Sequence, residues 1–145
     1  MYENINYKNL YNDVWRAYKK FIKPMRLRDN ANKWAWLDEM QEIMTKYKGA
    51  QFADDLLTAA HYELMAIYDG KATGHADYLA IYKDTCDLFK KYYPTEEKAR
   101  NNENYWRNLI NEASDISIKH HDSRFCNKLL FAATDEIERT SKISN

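Results

Sequence analysis

Three observations predict an all-α fold. Breakers are scarce, with three glycines and two prolines in 145 residues. Apolar residues recur at steps of three and four over most of the chain, the period of one helix face. The chain also repeats itself, the signature of a doubled supersecondary unit. Leu10-Tyr11-Asn12-Asp13, followed by Lys19-Lys20-Phe21, returns as Ile81-Tyr82-Lys83-Asp84, followed by Lys90-Lys91-Tyr92. Phe52-Ala53-Asp54-Asp55-Leu56-Leu57-Thr58-Ala59-Ala60 returns at nearly the same offset as Phe125-Cys126-Asn127-Lys128-Leu129-Leu130-Phe131-Ala132-Ala133. The expected architecture is a six-helix bundle made of two duplicated three-helix units with pseudo-two-fold symmetry. The units run over about 8–69 and 78–140, with a linker at 70–77. Each is marginal alone, so 1–145 is expected to form a single domain around one shared core.

Helix one carries Leu10, Val14, Ala17, Tyr18 and Phe21 on one face, and Pro24 is expected to stop it. Asp29 or Asn30 caps helix two, whose stripe is Trp36, Met40, Ile43, Met44 and Tyr47. Gly49 ends it, where a left-handed residue is wanted. Helix three turns Phe52, Leu56, Leu57, Ala60, Leu64 and Ile67 inward, and Asp69-Gly70 with Thr73-Gly74 forms the linker. Helix four carries Tyr82, Thr85, Leu88, Phe89 and Tyr92, closed by Pro94. Asn101, Asn102 or Asn104 caps helix five, with the stripe Leu109, Ala113, Ile116, Ser117 and His120. Asp122-Ser123 is the next break, and Ser123 caps helix six. That helix buries Phe125, Leu129, Leu130, Ala133 and Ile137, and fraying is expected from Ser141 on. Across the repeat Trp36 matches Leu109, Ile43 matches Ile116 and Leu64 matches Ile137. Met40 matches Ala113, which leaves a gap unless a larger neighbour such as Trp106 fills it.

Lysine plus arginine and aspartate plus glutamate both total 22, so the formal net charge is zero and no whole-molecule field favours nucleic acid or an anionic membrane. No apolar run reaches the roughly 18–20 residues of a membrane span. The start of the chain lacks the layout of a signal peptide, and Cys86 and Cys126 show no motif spacing; a cytoplasmic protein with small buried thiols is expected, against a disulfide or a reactive thiol. No nucleophile elbow, phosphate-cradling glycine loop or zinc pattern occurs, so neither an enzyme nor a cofactor is expected.

The candidate sites are places where the halves differ. Arg16, Lys19, Lys20, Lys23, Arg26, Arg28 and Lys33 form a basic segment with one acidic residue, Asp29. Its counterpart, 90–103, contains Glu96, Glu97 and Glu103 and is nearly neutral. The segment could be a solvated helix end, or could meet phosphates or an acidic protein patch. Trp34, Trp36 and Trp106, in a chain with twelve tyrosines, supply more aromatic surface than one core can bury with its polar tips satisfied. Such rings and arginine anchor interfaces, so a binding surface, self-association included, competes with a half-buried boundary layer. His120, His121, Asp122 and Arg124 form the densest polar cluster. A helix end favours histidine by its dipole alone, and adjacent side chains diverge by about 100° and bind one metal poorly, so no metal site is expected. Glu63 recurs as Glu136, which reads as an inter-helix hydrogen-bond or ion-pair partner; an acid/base site would need both carboxylates and His120 in one pocket.

Tyr105-Trp106, Arg124-Phe125-Cys126, Leu129-Leu130, Ala132-Ala133 and Glu136-Ile137-Glu138-Arg139, over about half the chain, resemble small uncharacterised helical accessory proteins of phages and mobile elements of Gram-positive bacteria. The resemblance rests on packing residues and supplies no catalytic residue. It implies a binding role, including inhibition of host defence as by anti-CRISPR proteins. The function expected is therefore a non-enzymatic protein-binding accessory protein acting through an aromatic- and arginine-rich surface. Its partner would be a host protein or a second copy, as in a homodimer, with no membrane involved. The alternative is nucleic-acid binding by the 16–33 segment.

Overall fold

A computed structural model describes residues 5–72, 77–93 and 102–141. Among these there are six helices and no strand: α1 (Tyr7–Arg26), α2 (Asn30–Lys46), α3 (Gln51–Tyr68), α4 (Tyr78–Tyr92), α5 (Glu103–Lys119) and α6 (Arg124–Ser141). They fall into two compact units, α1–α3 and α4–α6. Pro94, Glu96, Glu97, Asn101, Thr73 and Gly74 lie outside the described residues.

In unit one, α1 packs on α3 and α2, and α2 also meets α3. The Asn6 side chain caps α1 by accepting from the Asn9 N–H at 3.0 Å. Leu10, Val14, Ala17, Tyr18 and Phe21 are all buried, as their spacing requires. Pro24 does not stop the helix, which continues to Arg26. The proline lies in the last turn, so the missing N–H orphans a carbonyl near the end instead of breaking the ladder midway. Fully buried Met25 holds that turn against the core. The stop comes at Arg28, whose φ of 55° is left-handed. Asp29 then caps α2 by accepting from the Ala31 N–H at 2.9 Å.

The middle helix is the least buried of the three. Of its stripe only Trp36 is fully buried; Met40, Ile43, Met44 and Tyr47 are half-exposed. Trp36 packs edge-on against Phe21 with ring centroids 5.6 Å apart. Its Nε1–H donates to Nδ1 of His61 on α3 at 3.1 Å. An indole nitrogen only donates, so neutral His61 carries its own proton on Nε2. Burial pulls the His61 pKa down, which favours this neutral form. The helix ends with the Lys48 N–H on the Thr45 carbonyl (3.1 Å) and the Gly49 N–H on the Met44 carbonyl (2.9 Å). Both Lys48 (56°) and Gly49 (69°) are left-handed, so the conformation wanted at this end is shared by two residues. Phe52, Leu56, Leu57, Ala60, Leu64 and Ile67 of α3 are buried as expected.

Unit two packs α4 against α6 and α5, and α5 against α6. Asp77 caps α4 through the Ala80 N–H at 3.0 Å. Asn102 caps α5 by accepting from Asn104 (3.0 Å) and Tyr105 (3.3 Å). Ser123 receives the Cys126 N–H at 3.3 Å. Leu109 is the one fully buried residue of α5, and it stands at the position matched to Trp36. The expected inward residues of α4 and α6 are buried. The helix does not fray at Ser141: that residue is helical and buried, and its hydroxyl donates to the Glu138 carbonyl at 2.7 Å. Cys86 and Cys126 are free and buried, and burial pushes both thiols up to about 11. No described helix is long and apolar enough to cross a membrane.

Trp36→Ala removes the largest buried side chain of unit one and orphans His61, so a loss of about 3–5 kcal/mol is expected by urea unfolding. Trp36→Phe keeps most of the volume and isolates the indole hydrogen bond, with an expected loss of about 1–2 kcal/mol.

Candidate functional site

Arg16, Lys19, Lys20, Lys23 and Arg26 are all exposed on α1. At about 100° per residue they fall within an arc of about 120°, opposite the buried stripe. They therefore form one basic strip along the solvent side of the helix, and Arg28 follows in the turn. The strip is partly neutralised by its own unit. Lys20 is ion-paired with Glu39 of α2, and Arg16 lies in the field of Asp13. Lys33 is half-buried, its ammonium 4.5 Å from the Tyr68 ring centre. Beyond the strip, Leu27 is 72% exposed in the turn and Trp34 70% exposed on α2, with Leu37 one turn further along. Trp36 does not join them. It is fully buried against Phe21 and His61. Two residues of helix carry it to the opposite side from Trp34, so its ring faces the core.

Each unit closes on one aspartate. Asp13 Oδ2 of α1 accepts from Lys46 Nζ at 2.7 Å and from Tyr47 OH at 2.6 Å, both at the end of α2. Asp84 Oδ2 of α4 meets Lys119 Nζ at 2.9 Å and His120 Nε2 at 2.7 Å, both at the end of α5. Burial alone would raise both carboxyls. The hydrogen bonds and positive charges outweigh it and hold both below the usual carboxylate range. Tyr47 is pushed up, first by burial and then by the adjacent carboxylate. His120 is thus a structural donor, not an accessible one: its side chain is 9% exposed and faces Asp84.

His121, Asp122 and Arg124 remain exposed. Asp122 Oδ1 accepts from Asn127 Nδ2 at 2.7 Å and ties the turn to α6. No group of three His, Cys, Asp or Glu among the described residues has the geometry to hold a metal ion. Glu136 is fully buried, and it is ion-paired with Arg139 of its own helix. Burial raises its carboxyl to about 6 against the pull of Arg139. His120 is not brought to it, since Arg124 and Glu136 alone are separated by about 18 Å of helix.

Two shallow grooves of about 270 and 340 Å³ lie over these clamps, between α1 and α2 and between α4 and α5. Asp13, Lys20, Glu39 and Lys46 line the first; Asp84, Lys91, Glu112 and Lys119 stand at the matched places in the second. Lys91 pairs with Glu112 as Lys20 pairs with Glu39. A third groove, of about 490 Å³, runs between α5 and α6. Trp106, Leu109, Ile110, Ala113, Leu130 and Phe131 supply its apolar wall. Ala113 and Ser117 stand there at the positions matched to Met40 and Met44. Trp106 is half-buried beside the gap, with its ring edge-on to Tyr105 at 5.3 Å, and does not fill it. Ile110 (65% exposed) and Phe131 (67%) form the lips. The sequence signal for Phe131 was its replacement of Thr58 inside an otherwise apolar-conserving repeat; Leu27 and Ile110 carry no such signal.

Because both clamp carboxyls lie lower in the folded chain, their stabilisation is complete above the ordinary aspartate range and is lost as pH falls through the folded values. Asp84→Asn or Asp13→Asn is expected to cost about 1–3 kcal/mol at neutral pH. Each also flattens the acid limb of stability, read as urea midpoints from neutrality down to strongly acidic pH.

No protein-family model, no curated protein and no solved structure matches the chain.

Proposed function

We propose that the chain is a non-enzymatic binding protein, a three-helix module doubled within one polypeptide, whose first copy docks its α1–α2 corner on another protein with an acidic face. Trp34 carries the reading. It is 70% exposed although Trp36, two residues on, already fills the core, so folding does not require it. An exposed aromatic ring close in sequence to an exposed turn leucine and an arginine- and lysine-rich strip has the composition of an interaction hot spot. The neutral chain and the carboxylates of α2 alongside the strip favour a protein over a polyanion, since nucleic acid selects for unopposed positive field. The matched clamps, the matched Lys–Glu pairs and the matched groove linings support the doubling, all at a near-constant offset along the chain. The resemblance to accessory proteins of mobile elements fits a host protein as partner, with a defence nuclease the first class to try.

The test compares partners retained by the immobilised wild-type chain with those retained by Trp34→Ala and by Lys23→Glu/Arg26→Glu. A partner is expected on the wild type and should weaken by about 2 kcal/mol on Trp34→Ala, with unchanged circular dichroism. A mobility shift of single- or double-stranded DNA at low salt, steep in salt and abolished by the charge reversals, would instead give the surface to nucleic acid. Retention that none of these variants alters would overturn the assignment.

A further inference from the structure

The groove between α5 and α6 belongs to unit two and is independent of the α1–α2 corner. Its α6 lip has an ordered charge pattern. Arg124, Lys128, Phe131, Asp135 and Glu138 are spaced by four, three, four and three residues. At about 100° per residue they share an arc of about 80°. Lys128 is half-exposed and the other four are exposed. Both basic residues precede Phe131 and both acidic residues follow it. Phe131 is the midpoint, equally far along the chain from Arg124 and from Glu138.

This order does not serve α6 itself. A helix is stabilised by acidic groups at its N-terminal end and basic groups at its C-terminal end. Here the first turn has no acidic residue and begins with Arg124, while in the last turn Glu138 offsets the favourable Arg139. The unit-one matches, Gln51, Asp55, Thr58, Tyr62 and Met65, have no such order, so the fold does not demand it. Read backwards, however, the stripe is its own complement. An antiparallel copy brings Arg124 opposite Glu138 and Lys128 opposite Asp135, and the two Phe131 rings meet at the centre. Lys128, Asp135 and Glu138 also interact within their own chain, and pairing across copies would add to those contacts. The centre also has room. Phe131 and Ala113 line the same groove, and the side chain lost between Met40 and Ala113 leaves the space for a ring.

We propose that the α5–α6 face docks a second copy of this chain, with the two α6 helices antiparallel about a two-fold axis near Phe131. The Phe131 ring of each copy enters the α5–α6 groove of the other over Ala113. This is an isologous contact, in which one patch serves both sides and the assembly closes as a dimer.

Sedimentation of the full chain over a wide concentration range tests it with Arg124→Glu and Glu138→Arg. Alone, each variant places like charges opposite one another twice, and self-association is expected to weaken roughly tenfold or more. Mixed in equal amounts, the two variants restore both pairs, and a heterodimer as tight as the wild type is expected. Both substitutions move α6 toward its preferred charge order, and thermal melts check that the loss of the intrachain contact of Glu138 leaves each variant folded. Ala113→Met, which refills the groove, is expected to weaken the dimer while leaving the fold intact. A wild type that stays monomeric at the highest concentration overturns the proposal, as does a mixture that associates no better than its components.

Discussion

Both units depend on a buried-side carboxylate that gathers the end of the middle helix onto the first. In unit one Asp13 holds Lys46 and Tyr47; in unit two Asp84 holds Lys119 and His120. Each middle helix has only one fully buried residue, too little apolar area to position it by burial alone. The clamp supplies the missing constraint by fixing the far end of that helix while Trp36 or Leu109 anchors it within the core. The charge-assisted bonds are directional where hydrophobic contact is not, so they set how the middle helix lies and which of its faces water sees.

Much of this was legible in the sequence because helix periodicity and capping are local. The stripes of α1, α3, α4 and α6, the caps at Asp29 and Ser123 and the helix ends near residues 49 and 122 all follow from spacing and residue type. Pro24 misled because position within the turn decides what a proline costs, and Met25 had to be known as a core residue to see that the last turn survives. Trp36 and His120 stood both on inward helix stripes and among the candidate contact residues, and the fold buries both side chains. Each is amphipathic, and whether its polar tip meets water or a partner is settled by His61 and Asp84, residues 25 and 36 positions away. Spacing put both side chains inward while composition offered them as contacts, and tertiary hydrogen bonds hold them inside.

The surfaces lie where corresponding positions differ. Thr58 against Phe131, and Met40 and Met44 against Ala113 and Ser117, differ at the edge where unit two has its open α5–α6 groove. The basic strip of α1 has no basic partner at Asp87, which replaces Arg16. Differences of this kind leave the core alone, since the inward residues on either side keep their character. Similar inward residues therefore lie beneath two unlike exteriors.

The turns after the two middle helices differ in what their backbones cost. In unit one, left-handed geometry falls on Lys48 and on Gly49, around which an added Cβ would meet nothing within 4 Å. In unit two it falls on His121 and Asp122, both strained as side-chain-bearing residues, and the Asp122 carboxylate is tied to Asn127. In the first turn Gly49 takes its left-handed angle without side-chain strain, while Lys48 bears the same backbone cost as the residues of the second. The second has its tolerance narrowed by two simultaneous demands, and over evolutionary time it should change only in concert with the start of α6.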